Sequence, residues 1–509
     1  MDILQSLLYG FSVAATPINL AYMAFGSVLG TVLGMLPGLG PSTGVALFLP
    51  LTYAMRPETA LITMCAIYYG AMFGGSRSSI LLNIPGDGAA VASCFDGYPM
   101  AQKGQAEAAL AISAIASFIG GLLSAIAFVA LAVPMARFAL RFGPPEYFTL
   151  MVFALAATAA ISKEALLKGM ISLLIGLMIT TVGIDLQSGV QRFTFGLPEL
   201  QSGIDFVVVI IGVYGIGEVF KNFETIKAKG TQAIQRKFGR IWISMEQWKR
   251  SWLPILRQTP VGFLIGILPG AGGTIAAMMA YNNEKQLSKH PEEFGKGAVE
   301  GLAAPEAANN ACSIGAMIPM MTLGVPGSGT TAVMLGALLI LGLQPGPLLF
   351  QHHPDVAWGV IASLFLANVV CAIINIPLAG ALVRGSRGAP RILYPLVIVL
   401  ALLGVYTINY SVMEFHILVL FGLVGYFMKS FKIPTAPLIL AVVVGQSMEQ
   451  SFRQSLMLSD GALSIFVRSP ICITLLALAA LSVAWPFISD MIKRKEPPKP
   501  AHAPAAPEE

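Results

Sequence analysis

Apolar runs of about 20 residues, long enough to cross a bilayer as a helix, recur at 107 to 133, 165 to 184, 203 to 220, 356 to 381, 391 to 408, 412 to 428 and 470 to 490. Elsewhere the pattern is more broken. Residues 17 to 36 run into a Leu-Pro-Gly turn, and 44 to 55 stay apolar for about half a membrane's thickness. Residues 59 to 75 end at Gly74-Gly75, with the polar cluster Ser76-Arg77-Ser78-Ser79 behind them. The Leu-Pro-Gly turn then returns: Gly34-Met35-Leu36-Pro37-Gly38-Leu39-Gly40-Pro41-Ser42-Thr43-Gly44 reappears as Gly266-Ile267-Leu268-Pro269-Gly270-Ala271-Gly272-Gly273-Thr274-Ile275-Ala276. Each copy is followed by a second Pro-Gly turn, Asn83-Ile84-Pro85-Gly86-Asp87-Gly88 in the first case and Gly324-Val325-Pro326-Gly327-Ser328-Gly329 in the second. The pattern predicts an all-α polytopic membrane protein of about 10 to 12 crossings, built from two homologous repeats with broken or re-entrant helices. Residues 93 to 106 and 185 to 202 read as polar connections.

Composition agrees: 56% of residues are hydrophobic and 11% charged, with a mean hydropathy of +0.75. That excludes an ordinary soluble globular chain. The net charge of +5 is concentrated in residues 221 to 257, where nine basic residues stand against Glu224 and Glu246. Such a run is expected on the cytoplasmic side, not on nucleic acid. Within it, Ile241, Met245, Trp248 and Trp252 share one helical face, which predicts an interfacial helix. The chain therefore divides into a first membrane repeat (1 to 220), a basic amphipathic cytoplasmic linker (221 to 257), a second membrane repeat (258 to 492) and a disordered cytoplasmic tail (493 to 509). The first basic residue is Arg56. No cleaved signal peptide is expected, and an outside amino terminus, hence inverted repeats, is favoured. The five cysteines and five histidines show no metal-ligand spacing, so no metal or cofactor is expected.

In a bilayer, Pro and Gly free backbone N–H and C=O groups, which is tolerated only where protein or a watery cavity satisfies them. Paired breaks in two halves point to a binding site near the midplane. The new helix starts carry partial positive charge suited to an anion. Candidate binding positions are Pro37, Gly38, Gly40, Ser42 and Thr43 at the first turn, and Ser76, Arg77, Ser78 and Asn83 around the second. Pro269, Gly270, Gly272 and Thr274 form the third turn, with Pro326, Gly327, Ser328 and Thr330 at the fourth. Ionisable groups in apolar sequence are functional candidates by default. Arg77 could grip a carboxylate in a bidentate contact or snorkel to the headgroups. Asp87 and Glu306, with Asn309 and Asn310, could hold a coupling cation. No set of acid, base and nucleophile emerges and no phosphate-binding loop is present, so neither an intramembrane enzyme nor an ATP-driven pump is the first expectation. A passive anion channel could use the same half-helices.

The repeated Gly-x-Leu-Pro-Gly turn, the run from Gly74-Gly75-Ser76 to Leu81-Leu82-Asn83-Ile84-Pro85-Gly86, and the segment Ala304-Pro305-Glu306-Ala307-Ala308-Asn309-Asn310 resemble the large membrane subunit of tripartite tricarboxylate transporters, the TctA family. The resemblance runs from about residue 15 to 490. It implies a multi-pass permease of the bacterial inner membrane. Its implied partners are a small four-helix membrane subunit and a periplasmic solute-binding protein. It also implies carboxylate uptake, of citrate or related acids, driven by a sodium or proton gradient.

Overall fold

The computed structural model describes residues 3–36, 40–83, 85–160, 163–185, 188–221, 242–270, 272–376, 395, 398–399, 401–403, 405–406 and 411–495. Pro37, Gly38, Ile241, most of the 391 to 408 run, residues 222 to 241 of the basic linker and the tail beyond 495 lie outside them. The described residues form nineteen α-helices and one two-stranded hairpin, Gly183–Ile184 against Gln191–Arg192, and the chain is an all-α polytopic membrane protein. Four of the helices are both long and apolar enough to cross a membrane: Pro17–Met35, Ala106–Ala139, Pro354–Asn375 and Met413–Ser430.

The first half runs α1 (Ile3–Ala14), α2 (Pro17–Met35), α3 (Pro41–Phe48), α4 (Pro57–Leu82), α5 (Val91–Gln102) and α6 (Ala106–Ala139). It is followed by α7 (Pro144–Ala159), α8 (Lys163–Thr180) and α9 (Phe206–Ile210), which continues as a π-helix over Ile211–Ile216. The second half runs α10 (Met245–Ile267), α11 (Gly272–Leu287), α12 (Val299–Gly315), α13 (Met317–Leu323), α14 (Gly329–Ile340), α15 (Pro347–His352) and α16 (Pro354–Asn375). After these come α17 (Met413–Ser430), α18 (Ala436–Leu458) and α19 (Pro470–Lys495).

Small residues fix the packing. Lipid tails are as apolar as leucine, so helices in a bilayer associate through close backbone approach, and glycine permits it. Methyl groups added at Gly30 and Gly34 of α2 would collide with the carbonyls of Ile67 and Ala71 on α4. In the second half, Gly262 and Gly266 of α10 meet the carbonyls of Ala308 and Cys312 on α12 in the same manner. Residue numbers rise together in both pairs, so each pair packs parallel. The chain between α2 and α4 must therefore travel back along α2. It does so through α3 and the 3-10 turn Leu49–Ala54, about 24 Å at ordinary helical rises, so the short apolar stretch 44 to 55 belongs to a return leg along most of α2.

Three further expectations are corrected. Residues 76 to 79 do not follow a break: α4 runs unbroken to Leu82, and Asn83 ends it in the left-handed conformation at φ 55°. Residues 93 to 106 are mostly helix α5, whose Asp96 accepts the backbone N–H groups of Gly295, Gly297 and Ala298 at 2.7 to 2.9 Å and so clasps the second half. The amphipathic helix begins at Met245, with Ser244 as its cap, and runs without interruption to Ile267, so a single helix spans the 257/258 division. Its Met245 and Trp252 are exposed.

Candidate functional site

The helix end leading into each Leu-Pro-Gly turn seats against the second Pro-Gly turn of its own half. Gly86 meets the carbonyl of Gly34, Gly327 meets that of Gly266, and the Gly270 N–H donates to the Gly327 carbonyl at 3.2 Å. Side chains larger than hydrogen would separate these turns. The helices ending at the second turns stop in the same way, since Asn83 (φ 55°) and Gly324 (φ 70°) both take the left-handed conformation that terminates a helix.

The two halves then interlock. Ser42 and Thr330 hydroxyls lie 3.1 Å apart, and the Tyr68 hydroxyl lies 3.4 Å from Ser328. A methyl added at Gly88 would stand 2.5 Å from the Thr274 hydroxyl, and one at Gly273 would lie 3.1 Å from the Ala89 Cβ. All four turns line one cavity of about 600 Å³, a volume typical of small-molecule sites. Helices α3, α11 and α14 begin at its wall. Ser328 closes a capping box at the start of α14, accepting the Thr331 N–H at 3.2 Å while Thr331 Oγ1 accepts the Ser328 N–H at 2.9 Å. The other free N–H groups at these starts make the wall suited to a carboxylate.

Of the sequence candidates, Gly40, Ser42, Thr43, Asp87, Gly270, Gly272, Thr274, Pro326, Ser328 and Thr330 line this cavity. Pro269 and Gly327 are buried at the turns without lining it, and Asn83 is exposed outside it as a helix stop. Ser76, Arg77, Ser78 and Glu306 are not brought to it. They lie behind the wall, among α4, α5, α6 and α12. There Glu306, 1% exposed, accepts from Ser76 at 2.8 Å, from Ser117 at 3.1 Å and, in a very short contact, from Ser93. Arg77 is fully buried beside this carboxylate, donates to Ser113 at 3.2 Å and lies 5.8 Å from the Phe73 ring centroid. It neither snorkels nor faces the cavity. Asn310 bonds back to the Glu306 carbonyl at 3.1 Å, while Asn309, 2% exposed, keeps its Oδ1 unpartnered at the Gly273 turn.

Sequence reasoning missed the rest of the lining, formed by Tyr68 and Met72 of α4, Thr158 of α7, Tyr214 and Glu218 on the continuation of α9, Lys429 of α17, and Thr435 and Leu440. Tyr214 sits in the π-helical stretch, a widened turn often found at functional sites. Glu218 was detectable as an ionisable group inside the apolar run 203 to 220. Lys429 directly follows the run 412 to 428, where a lysine reads as an ordinary interfacial anchor.

Broken helices that come in two matching sets and enclose a polar cavity suited to anions define a membrane transporter component. The chain belongs to the tripartite tricarboxylate transporter TctA family, whose model matches residues 20–440. It is 38% identical over 498 residues to an uncharacterized 52.8 kDa protein in the TAR-I ttuC' 3' region of Agrobacterium vitis, covering 97% of this chain and 98% of that protein. It is 36% identical over 235 residues to an uncharacterized protein in the TAR-II ttuC' 3' region of the same organism, covering 46% of this chain and 97% of that one. No solved structure matches.

Proposed function

We propose that this chain is the permease subunit that imports carboxylates, tricarboxylates or related organic acids, across the bacterial inner membrane, driven by a cation gradient. Delivery would be by a periplasmic binding protein, and a small membrane subunit would complete the complex. The observation that carries this reading is the convergence of four Pro-Gly turns, two from each half, on one cavity faced by helix starts. Ion coupling follows from charge. Among the described lining side chains Asp87 and Glu218 are acidic and Lys429 is basic, so a polycarboxylate adds negative charge to a wall that already has a surplus of it. A cation or proton entering with the substrate offsets that repulsion. Asp87, at the second turn with Oδ1 on the Ala90 N–H at 3.0 Å, is the proposed cation partner, with the Asn309 amide oxygen nearby.

The contacts support an inverted arrangement of the halves. Helix α2 starts beside the start of α4, where Asn19 accepts from Thr59 at 2.6 Å. That end also gathers Ile3, Arg137, Leu140 and Pro354 around one pocket. The counterpart α10 starts elsewhere, with Arg250 on Glu300 at the start of α12 and Lys103 on the Lys296 carbonyl close by. Helix α6 connects the two ends with 34 residues, about 51 Å of helix. The second end holds Lys103, Lys249, Arg250, Arg257, Lys289 and Lys296 and is proposed as cytoplasmic by the positive-inside rule. Alternating access would carry the turn-bearing helices past the wall formed by α9 and α17, in the manner of an elevator.

The test is uptake of labelled di- and tricarboxylates into proteoliposomes holding this chain, its small subunit and the binding protein, under an imposed sodium or proton gradient. Accumulation that collapses with the gradient is the expected result and names the ion. Flux that merely equilibrates would replace the permease by a channel.

A further inference from the structure

The part of the lining that the four turns do not supply holds the cavity's own counter-charge. The continuation of α9 and helix α17 are drawn together by small residues. A methyl at Gly217 would stand 3.0 Å from the Gly425 Cα, and one at Gly212 would stand 2.7 Å from the Phe421 Cβ. That approach sets Glu218, next to Gly217, against Lys429, one turn beyond Gly425, and the two form an ion pair. Both line the cavity, and Lys429 is the one basic side chain among the described residues that do. The Glu218 side chain is 8% exposed and that of Lys429 is 22% exposed. The pair is thus largely dehydrated, with the ammonium left open on one side. Hydroxyls and backbone N–H groups at the turns can orient an anion, but none of them carries a full positive charge. An ammonium with three rotatable donors does, and it recognises carboxylate as a point charge without demanding planar geometry.

We propose, resting on the permease reading above, that Lys429 is the counter-charge for one carboxylate of the substrate and that Glu218 is its resident partner in the empty cavity. The substrate is held between the helix starts on one wall and the Lys429 ammonium on the other. It binds by competing with Glu218 for that ammonium, and Glu218 recovers the ammonium on release. Glu218 therefore keeps the lysine paired between cycles and sets an upper limit on affinity. Anions with two or more carboxylates can reach both walls, and a monocarboxylate can reach only one.

The test measures binding of radiolabelled citrate and succinate, with acetate as the one-wall control, to the purified full-length chain in detergent, alongside uptake KM in proteoliposomes. For K429M the expected result is citrate and succinate binding weakened by about tenfold or more, the size of one charge-assisted contact, with acetate little changed. K429R retains most of the affinity, and E218Q binds citrate more tightly than the wild type and releases it more slowly. A purely structural pair would give the opposite pattern, with thermal stability falling in K429M and E218Q while binding per folded molecule stays the same. If the wild type binds citrate or succinate and K429M binds it equally well, the assignment of Lys429 falls and the permease reading stands. If the wild type binds neither, both fall. Should K429M not fold, E218Q decides: unchanged or weaker citrate binding overturns the proposal.

Discussion

The cavity at the four turns and the closed cluster around Glu306 are both polar places in apolar sequence, supplied in part by the same helices. Along α4, Tyr68 and Met72 face the cavity, while Arg77 lies nine residues beyond Tyr68, about 180° around the helix, and faces Glu306 instead. The cavity wall is made by backbone breaks and small residues, and its hydroxyls meet across the two halves. In the cluster three serines from three different helices satisfy one carboxylate, while Arg77 beside it donates to Ser113 and keeps Nε and Nη2 unpartnered. Cost in a bilayer therefore marks two kinds of site, one that waits for a ligand and one that joins helices. What separates them is how many partners the group already has.

The largest effect should come from breaking the cluster on one side. Glu306→Ala would strand Arg77 and three serine hydroxyls in a dry interior, a loss of about 3–5 kcal/mol, read as a fall in melting temperature in detergent. Replacing both residues together, Arg77→Met with Glu306→Leu, removes both buried charges and should recover much of that stability. If the double variant is stable and still accumulates substrate under a gradient, the cluster is a structural joint; stability without accumulation would return Glu306 to the ion path. Next in size is Gly86→Ala, which presses a methyl onto the Gly34 carbonyl. Overpacking of this kind costs about 1–3 kcal/mol and would open the cavity wall, so both melting temperature and uptake should fall. Normal uptake would mean that the seating of one turn on the other is dispensable.

Much of this was legible in the chain. The repeat and the four turns are backbone constraints, and backbone constraints leave fixed residue types at fixed intervals, as Gly34 and Gly266 do, whereas the packing role of Gly30 and Gly262 emerges only from the structure. Helix stops were less legible, because Asn83 reads as a ligand until its left-handed φ shows it doing the work of Gly324. Charges were the least legible. Sequence identifies Arg77 and Glu306 as costly groups in apolar surroundings but says nothing of what faces them, and Lys429 becomes informative only once Gly217 and Gly425 bring two distant helices into contact.

A smaller change tests the cavity without touching its charges. A methyl at Gly329 would stand 2.8 Å from the Tyr214 hydroxyl and 3.5 Å from Ser42 Oγ, narrowing the space between the two walls. The hydroxyl is the far end of the Tyr214 side chain and can shift slightly, so Gly329→Ala should cost about 1 kcal/mol of stability. Uptake should nonetheless slow several-fold, about 1 kcal/mol of barrier, and Tyr214→Phe, which removes the obstructing hydroxyl, should restore it. Unchanged uptake in Gly329→Ala would mean that substrate does not pass between Tyr214 and the fourth turn.

The smallest effect comes from the same Arg–Glu chemistry placed in water. Arg250 grips Glu300 in two bonds of 2.8 and 2.9 Å and reaches Glu293 at 2.5 Å, at the start of α12 and in the loop before it. The hydrogen bond from Arg250 holds the Glu293 carboxyl below its ordinary value of 4.5. A depressed carboxylate contributes stability that is fully present above the unfolded value and is lost as pH falls through the folded one. The contribution is therefore complete at neutral pH and fades only below 4.5. Glu293 is substantially exposed, its side chain 44% accessible, so solvent screening limits the pair to about 1 kcal/mol or less. Glu293→Gln should lower the melting temperature slightly at neutral pH, and the difference from wild type should narrow as pH falls below 4.5 and the wild-type carboxylate takes up its proton. A gap that persists unchanged into acid would show that the side chain acts there by packing and not by charge. Set beside Glu306→Ala, the contrast in size would measure how much the removal of water adds to the same two residue types.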